Sequence, residues 1–347
     1  MRDFNRYDAS LLKIGEKNMS SARSVDSSLE KGGKKYEIED VRDIAEDVLS
    51  EVSRVIIGYG NILHYLFIAL LTNGHVLLEG VPGLAKTVTA KTFADSLGIS
   101  FKRIQFTPDL LPSDITGSMV FDQSKNEFVI RKGPLFANLV LADEINRTAP
   151  KTQAALLEAM AEKQVTIEGK TYDLPAPFCV IATQNPIEQE GTYPLPEAQL
   201  DRFLFKLFMS YVTPEEEIEV MRRQLTGEKT NLDKITSGEE IVQLQKVINN
   251  VYIDDIILEY IQQIIQKTRN DPQISMGAGP RALLTMMKCA KARAAILGRD
   301  YVTPDDIREL CIPVLNHRLA LKAEASLEGL TTTVVINRIL DTIPVPM

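Results

Sequence analysis

The chain has 347 residues, enough for two packed domains, and its 44% hydrophobic and 25% charged content is that of a globular protein. A net charge of −8 argues against a general binder of nucleic acid, because phosphate contacts need a basic surface. The apolar run "LFIALL" (66–71) is far too short for a bilayer, which takes roughly 20 residues.

Residues 1–38 are polar and serine-rich, with no apolar stretch of the kind a secretory leader carries. They predict a tail or a loosely attached helix, and a cytoplasmic location is expected. From Glu39 onward Val41, Ile44, Val48, Val52 and Val55 recur at three- and four-residue steps, the spacing of one helical face. A second apolar helix is predicted over 62–71. "HVLLEG" (75–80) reads as a short buried strand, 86–97 as a helix and "FKRIQF" as a second strand. "LVLADE" (139–144) is a third, a nearly continuous apolar run of the sort found in parallel strands covered on both faces. A helix over 150–162, a hairpin around "VTIEGKTYDL" and a fourth core strand "FCVIAT" (178–183) follow. Strands alternating with helices to about residue 210 predict a three-layer α/β domain.

Beyond that point strand signals fade. Thr213-Pro214-Glu215 and Thr303-Pro304-Asp305 both read as helix starts, with a hydroxyl cap, proline in the first turn and acids at the positive end of the dipole. Residues 213–347 therefore predict a smaller helical domain. Cys179, Cys289 and Cys311 sit among apolar neighbours and read as reduced core thiols. With His64, His75 and His317 far apart, no Cys/His spacing fits a metal site.

The stretch "LLEGVPGLAKTVTA" (77–90) carries the chemistry. It fits the phosphate-loop pattern at Gly80, Lys86 and Thr87, between a predicted strand and a predicted helix, but has Ala85 in place of the second glycine. Such a loop turns backbone N–H groups toward an anion at a helix N-terminus, with Lys86 reaching the β/γ-phosphates and Thr87 ligating Mg²⁺. Alanine is acceptable at 85 only where its backbone angles are open to L-residues, since positive φ is costly. The bland alternative is a strand–turn–helix with an exposed lysine. Asp143 and Glu144 close the next core strand in sequence after "FKRIQF", placed to hold a metal's water shell and to polarise a water; alone, they read as solvated loop acids. Asn185 ends "VIATQN" with an amide suited to orienting that water. Arg202 reads either as half of an ion pair or as catalytic, and Arg281 opens a helix with a side chain suited to phosphate oxygens.

Taken in order, "LLEGVPGLAKT", "LVLADEINR", "KTQAALLEAMAE", "VIATQNP", "YPLPEAQLDRF" and "GAGPRA" resemble the AAA+ ATPases, and specifically the MoxR family, over residues 40–320. That family commonly carries alanine before the loop lysine, so Ala85 becomes part of the resemblance. The resemblance implies an α/β, three-layer P-loop NTPase core with a parallel sheet over 39–212, followed by a small all-α lid over 213–347. It implies ATP held by Gly80, Val81, Pro82, Gly83, Leu84, Ala85, Lys86, Thr87 and Val88, with Mg²⁺ on Thr87 and Asp143. Glu144 is then the catalytic base, Asn185 the sensor-1 amide, Arg202 an arginine finger serving a neighbouring subunit, and Arg281 the sensor-2 arginine of the lid. Ile56, Ile57 and Gly58 are expected to flank the adenine. "DITGSMVFDQSKNEFVIRKGP" resembles the hairpin insert of helix 2 in this clade, near 115–134, and its alternation Met119/Phe121 and Phe128/Ile130 fits a hairpin independently.

The resemblance further implies a homo-oligomer, a hexameric ring without a membrane span. Its role would be chaperone-like on protein clients, with partners carrying von Willebrand factor A domains, in complex maturation or metal-cofactor insertion. Two other classes stay open on the sequence. One is an ATP-gated binding module with negligible turnover. The other is a nucleic-acid motor, which the acidic balance disfavours, as does an insert whose "SKNEFVIRKG" has only Lys125, Arg131 and Lys132 as cations.

Overall fold

The computed structural model describes residues 35–186, 191–226 and 231–346. Most of the predicted polar tail, residues 1–34, lies outside them; at its end Tyr36 is buried and donates to Glu240 Oε1 at 2.7 Å. The core runs α1 (Ile38–Ser53), α2 (Gly60–Leu71), β1 (Val76–Glu79), α3 (Lys86–Ser96), β2 (Phe101–Gln105), α4 (Pro112–Thr116), β3 (Gly117–Asp122), β4 (Glu127–Lys132) and β5 (Leu139–Asp143). It continues through α5 (Pro150–Glu162), β6 (Gln164–Ile167), β7 (Lys170–Asp173), β8 (Cys179–Gln184), α6 (Glu197–Leu200) and β9 (Phe205–Phe208). The rest is α7 (Pro214–Thr226), α8 (Gly238–Val247), α9 (Asp255–Asn270), β10 (Ile274–Met276), α10 (Pro280–Ile296), α11 (Pro304–Leu315), β11 (Ala320–Leu321), α12 (Ala323–Leu327) and α13 (Thr332–Thr342).

Five strands form one parallel sheet in the order β2-β5-β8-β1-β9. The chain leaves β1 toward one side and returns to its other side only with β9. The loop after β1 thus lies where the strand order reverses, at the carboxyl ends, the place where open α/β sheets form ligand crevices. Side chains alternate across the sheet as the pleat requires. Val76, Leu78, Leu139, Leu141, Ile181 and Leu207 join a cluster that continues through α1, α2 and α3 into the lid helices. Leu77, Val140, Ala142, Val180 and Ala182 face the other way, onto Leu156, Leu157 and Met160 of α5. The fold is a three-layer α/β core followed by a smaller, mainly helical domain.

The four core strands read from the sequence appear within a residue of their predicted bounds. The fifth, β9, is absent from that reading: it is four residues long and carries Lys206, whose charge is satisfied by Glu79 on β1 at 2.9 Å. Both predicted hairpins form, β3–β4 and β6–β7. In the first, Phe121 and Phe128 are directly opposite, ring centroids 5.2 Å apart, and both exposed. The lid also carries a short antiparallel ribbon, β10–β11, that the helical pattern does not announce. The predicted caps at Thr213 and Thr303 close their helices through Glu216 and Asp306, whose carboxylates accept the cap residues' N–H at 2.8 Å in both cases.

Candidate active site

The loop between β1 and α3 has the shape the phosphate-loop pattern calls for. Ala85, the residue before α3, has φ 55° and ψ 21°, in the small left-handed region. A glycine would sit there freely; alanine holds the same turn at a cost of about 1–2 kcal/mol. Gly83, with φ 89°, supplies the other unusual angle. The condition set by the sequence is not met: the loop keeps the phosphate-binding shape and Ala85 holds the positive φ at that cost. Lys86, the first residue of α3, bends back to donate to the Gly80 carbonyl. Burial pulls the Lys86 ammonium below the ordinary lysine pKa, while the nearby carboxylates of Asp143, Glu144 and Glu79 oppose that shift. The expected lysine and the expected acids, some sixty residues apart in sequence, therefore act on one another.

Asp143 and Glu144 sit at the end of β5, two strands from β1. Asp143 Oδ1 accepts from the Thr183 hydroxyl at 2.6 Å, and Asp143 Oδ2 accepts from Arg103 Nε at 3.0 Å and Nη2 at 2.6 Å. Glu144 stands in the left-handed region at φ 57°, uncommon for a non-glycine residue, and its N–H donates to Thr183 Oγ1 at 2.8 Å. Backbone strain of this kind gathers at functional sites. Its carboxylate accepts from Gln105 Nε2 and from Arg147 Nη1, each at 2.9 Å. Asn185 lies just past β8 and is buried. Arg103, Gln105 and Arg147 are absent from the sequence reading. The signal available was the period-two pattern of "FKRIQF", which puts Arg103 and Gln105 on one face of β2, with Gln105 in register with Asp143.

The two arginines expected to act on phosphate are placed differently. Arg202 donates to the Leu157 carbonyl at 2.6 Å. The ion pair considered for it belongs instead to its neighbour Asp201, which accepts from Arg281 Nη1 at 3.3 Å and from Arg318 Nε at 2.8 Å. Arg318 is almost fully buried and also donates to the Phe203 carbonyl at 2.7 Å, beside His317 Nε2, 3.0 Å from the same oxygen. The lid thus grips the backbone that carries Arg202. Arg281, at the start of α10, is tied to Asp201 and half exposed.

In the connection between α1 and α2, Ile56 is buried and Ile57 half-buried. Gly58 has φ 83°, and a side chain there would lie 2.4 Å from Val212 Cγ1. Tyr59 OH donates to the Ser210 carbonyl at 3.2 Å, so this segment packs on the connection between β9 and α7. For Mg²⁺ the available protein donors are the Thr87 hydroxyl and the Asp143 carboxylate, hard oxygens that suit it when waters and phosphate complete the shell. Among the described residues no cluster of three or more His, Cys, Asp or Glu forms a metal cage. The three cysteines are buried, and burial pushes the Cys179 and Cys311 thiols up to about 12.

Comparison with known proteins agrees with this geometry. The family model described as "ATPase family associated with various cellular activities (AAA)" matches residues 75–205, and the AAA lid domain matches 266–339. The protein named Chaperone MoxR1 of Mycobacterium tuberculosis is 44% identical over 87% of this chain and 82% of its own length. The chain belongs to the MoxR family of AAA+ ATPases. Within that family it is 48% identical to the uncharacterized protein YeaC of Bacillus subtilis, over 89% of this chain and 97% of the relative. A crystal structure from Cytophaga hutchinsonii of a protein inferred to be an ATPase superposes with a TM-score of 0.84 at 44% identity, covering 89% of this chain and 97% of that one. The matched AAA region of this MoxR-family chain contains the loop, both acids, Asn185 and Arg202, and the matched lid contains Arg281. No helix among the described residues is long and apolar enough to cross a membrane.

Proposed function

We propose that this chain is a Mg²⁺-dependent ATPase that works in a cytoplasmic homo-oligomeric ring, a hexamer, and turns hydrolysis into motion of the lid against the core. The observation that carries the reading is the convergence of Lys86 with Asp143 and Glu144 at the carboxyl ends of β1 and β5. The backbone amides of 80–88 wrap the triphosphate at the N-terminus of α3, and Lys86 exchanges the Gly80 carbonyl for the β/γ-phosphates. Thr87 and Asp143 hold Mg²⁺, which neutralises charge on the phosphate oxygens. Glu144 takes the proton of the attacking water, with Asn185 orienting that water. Ile57 and Gly58 border the adenine.

Arg202 completes the site of the adjoining subunit, where an arginine finger is worth about 10³–10⁵ in rate. Arg281 leaves Asp201 for the phosphate, which lets the lid respond to the nucleotide. A chaperone-like role is supported by similarity to the relative named Chaperone MoxR1; protein clients and a von Willebrand factor A domain partner are what the family resemblance implies. Phosphate release measured across protein concentrations tests the reading. Activity should rise steeply with assembly and vanish in Glu144→Gln. Release that is independent of concentration, or unchanged in Glu144→Gln, would overturn it.

A further inference from the structure

We infer that Arg103 competes with Mg²⁺ for the Asp143 carboxylate, so that metal binding requires Arg103 to leave. The inference deepens the proposed function and rests on Asp143 being a metal ligand. Both oxygens of Asp143 are committed. Oδ1 takes the Thr183 hydroxyl, and Oδ2 takes the Arg103 guanidinium through two bonds of 3.0 and 2.6 Å. Thr183 also accepts the Glu144 N–H at 2.8 Å, which already fixes the orientation of this carboxylate. Arg103 is therefore not needed to aim Asp143. What it adds is positive charge at Oδ2, the carboxylate oxygen that Thr183 leaves free. A guanidinium and a divalent cation repel one another, so each weakens the other's hold on one carboxylate.

Exposure makes the exchange feasible. The Arg103 side chain is 46% exposed, on edge strand β2, against 14% for Asp143. The arginine can swing into water at small cost, while the largely buried acid keeps its place and needs another cation to replace the arginine. The same Nη2 that bonds Asp143 also donates to Gln105 Oε1, and Gln105 Nε2 holds Glu144 Oε2 at 2.9 Å. Departure of Arg103 thus also releases the amide that restrains Glu144. The metal and the expected base are linked through two side chains of β2, Arg103 and Gln105.

The test uses the full-length protein and mant-AMPPNP, a fluorescent ATP analogue that is not hydrolysed, titrated in EDTA and in saturating Mg²⁺. The ratio of the two affinities reads the metal's contribution. In Arg103→Ala that ratio should exceed the wild-type value about tenfold, the scale of one hydrogen bond to a charged group, with the gain in the Mg²⁺ arm. Arg103→Lys, which keeps a cation without the fork, should fall between. If Arg103 merely supports Asp143, removing it lowers the ratio instead. An unchanged or lower ratio in Arg103→Ala overturns the inference and leaves the site reading standing. Absence of mant-AMPPNP binding, or of any Mg²⁺ gain, in the wild type overturns both.

Discussion

Asp143 in the core and Asp306 in the lid are both carboxylates held by arginine, and they differ in what surrounds them. Asp306 has no exposed side-chain surface. It caps its own helix, accepting the Thr303 N–H at 2.8 Å and hydroxyl at 2.9 Å, and it takes Arg299 through bonds of 2.9 and 2.7 Å as well as Arg293. Burial alone would raise its pKa, but Arg299, the Thr303 amide and Arg293 outweigh it and hold the carboxyl below the usual range. Asp143 ends a strand beside an open loop, and its arginine reaches it from solvent. The same residue pair is a rivet where every bond is sealed and an exchangeable latch where one partner faces water. A sealed pair holds both members in place, whereas a pair with one half-exposed member can let that member move into water when another cation takes its place.

Substitutions on the two sides should separate activity from stability. Glu144→Gln, beside the latch, should lower phosphate release by at least about 10²-fold with little change in urea midpoint; a variant that unfolds early would place this cluster with the rivets. Asp306→Ala should cost about 3–5 kcal/mol in urea unfolding, from two stranded arginines and a lost cap; a loss under about 1 kcal/mol would mean the lid acid is also exchangeable. His75 offers a third kind of buried polar group. Its Nδ1 accepts the Val180 N–H at 3.0 Å, so the neutral ring donates from Nε2 to Met160, 3.0 Å away, and burial pushes its pKa down to about 4. A folded pKa below the unfolded 6.5 means this stability is whole above about pH 6.5 and is lost as pH falls toward 4, at up to about 1.4 kcal/mol per unit. His317, lowered well below its usual value by burial, adds in the same direction. Urea midpoints at pH 7, 6 and 5 should fall in that order, and a rise would contradict the sign. The smallest effect is expected at Ala85→Gly, where relief of the left-handed angle should raise unfolding free energy by no more than about 1 kcal/mol after the entropy glycine adds to the unfolded chain. Destabilisation there would show that the alanine side chain, and not the loop turn, is what the site uses.

What was legible in the sequence was local. The strand–loop–helix at 76–96, the acids ending β5 and both proline-capped helices announce themselves through spacing, turn chemistry and apolar runs. The latch was not legible, because Arg103 meets Asp143 only through the pairing of β2 with β5, and a register shift of one residue would turn Arg103 to the other face. Nor was the grip of Arg318 on Asp201, which spans 117 residues and depends on how the lid docks. β9 escaped for a different reason: a four-residue strand with a lysine in it has too little periodicity to be told from a loop. Ala85 shows the converse case. The sequence departs from the generic pattern there, yet the backbone does not.

The most direct test of the account is a calorimetric titration of the full-length chain with ATP and Mg²⁺, beside Lys86→Ala. The account predicts saturable binding by the wild type, lost or weakened at least about tenfold in the variant. No heat of binding at millimolar ATP with Mg²⁺, or equal affinity in both proteins, would contradict it.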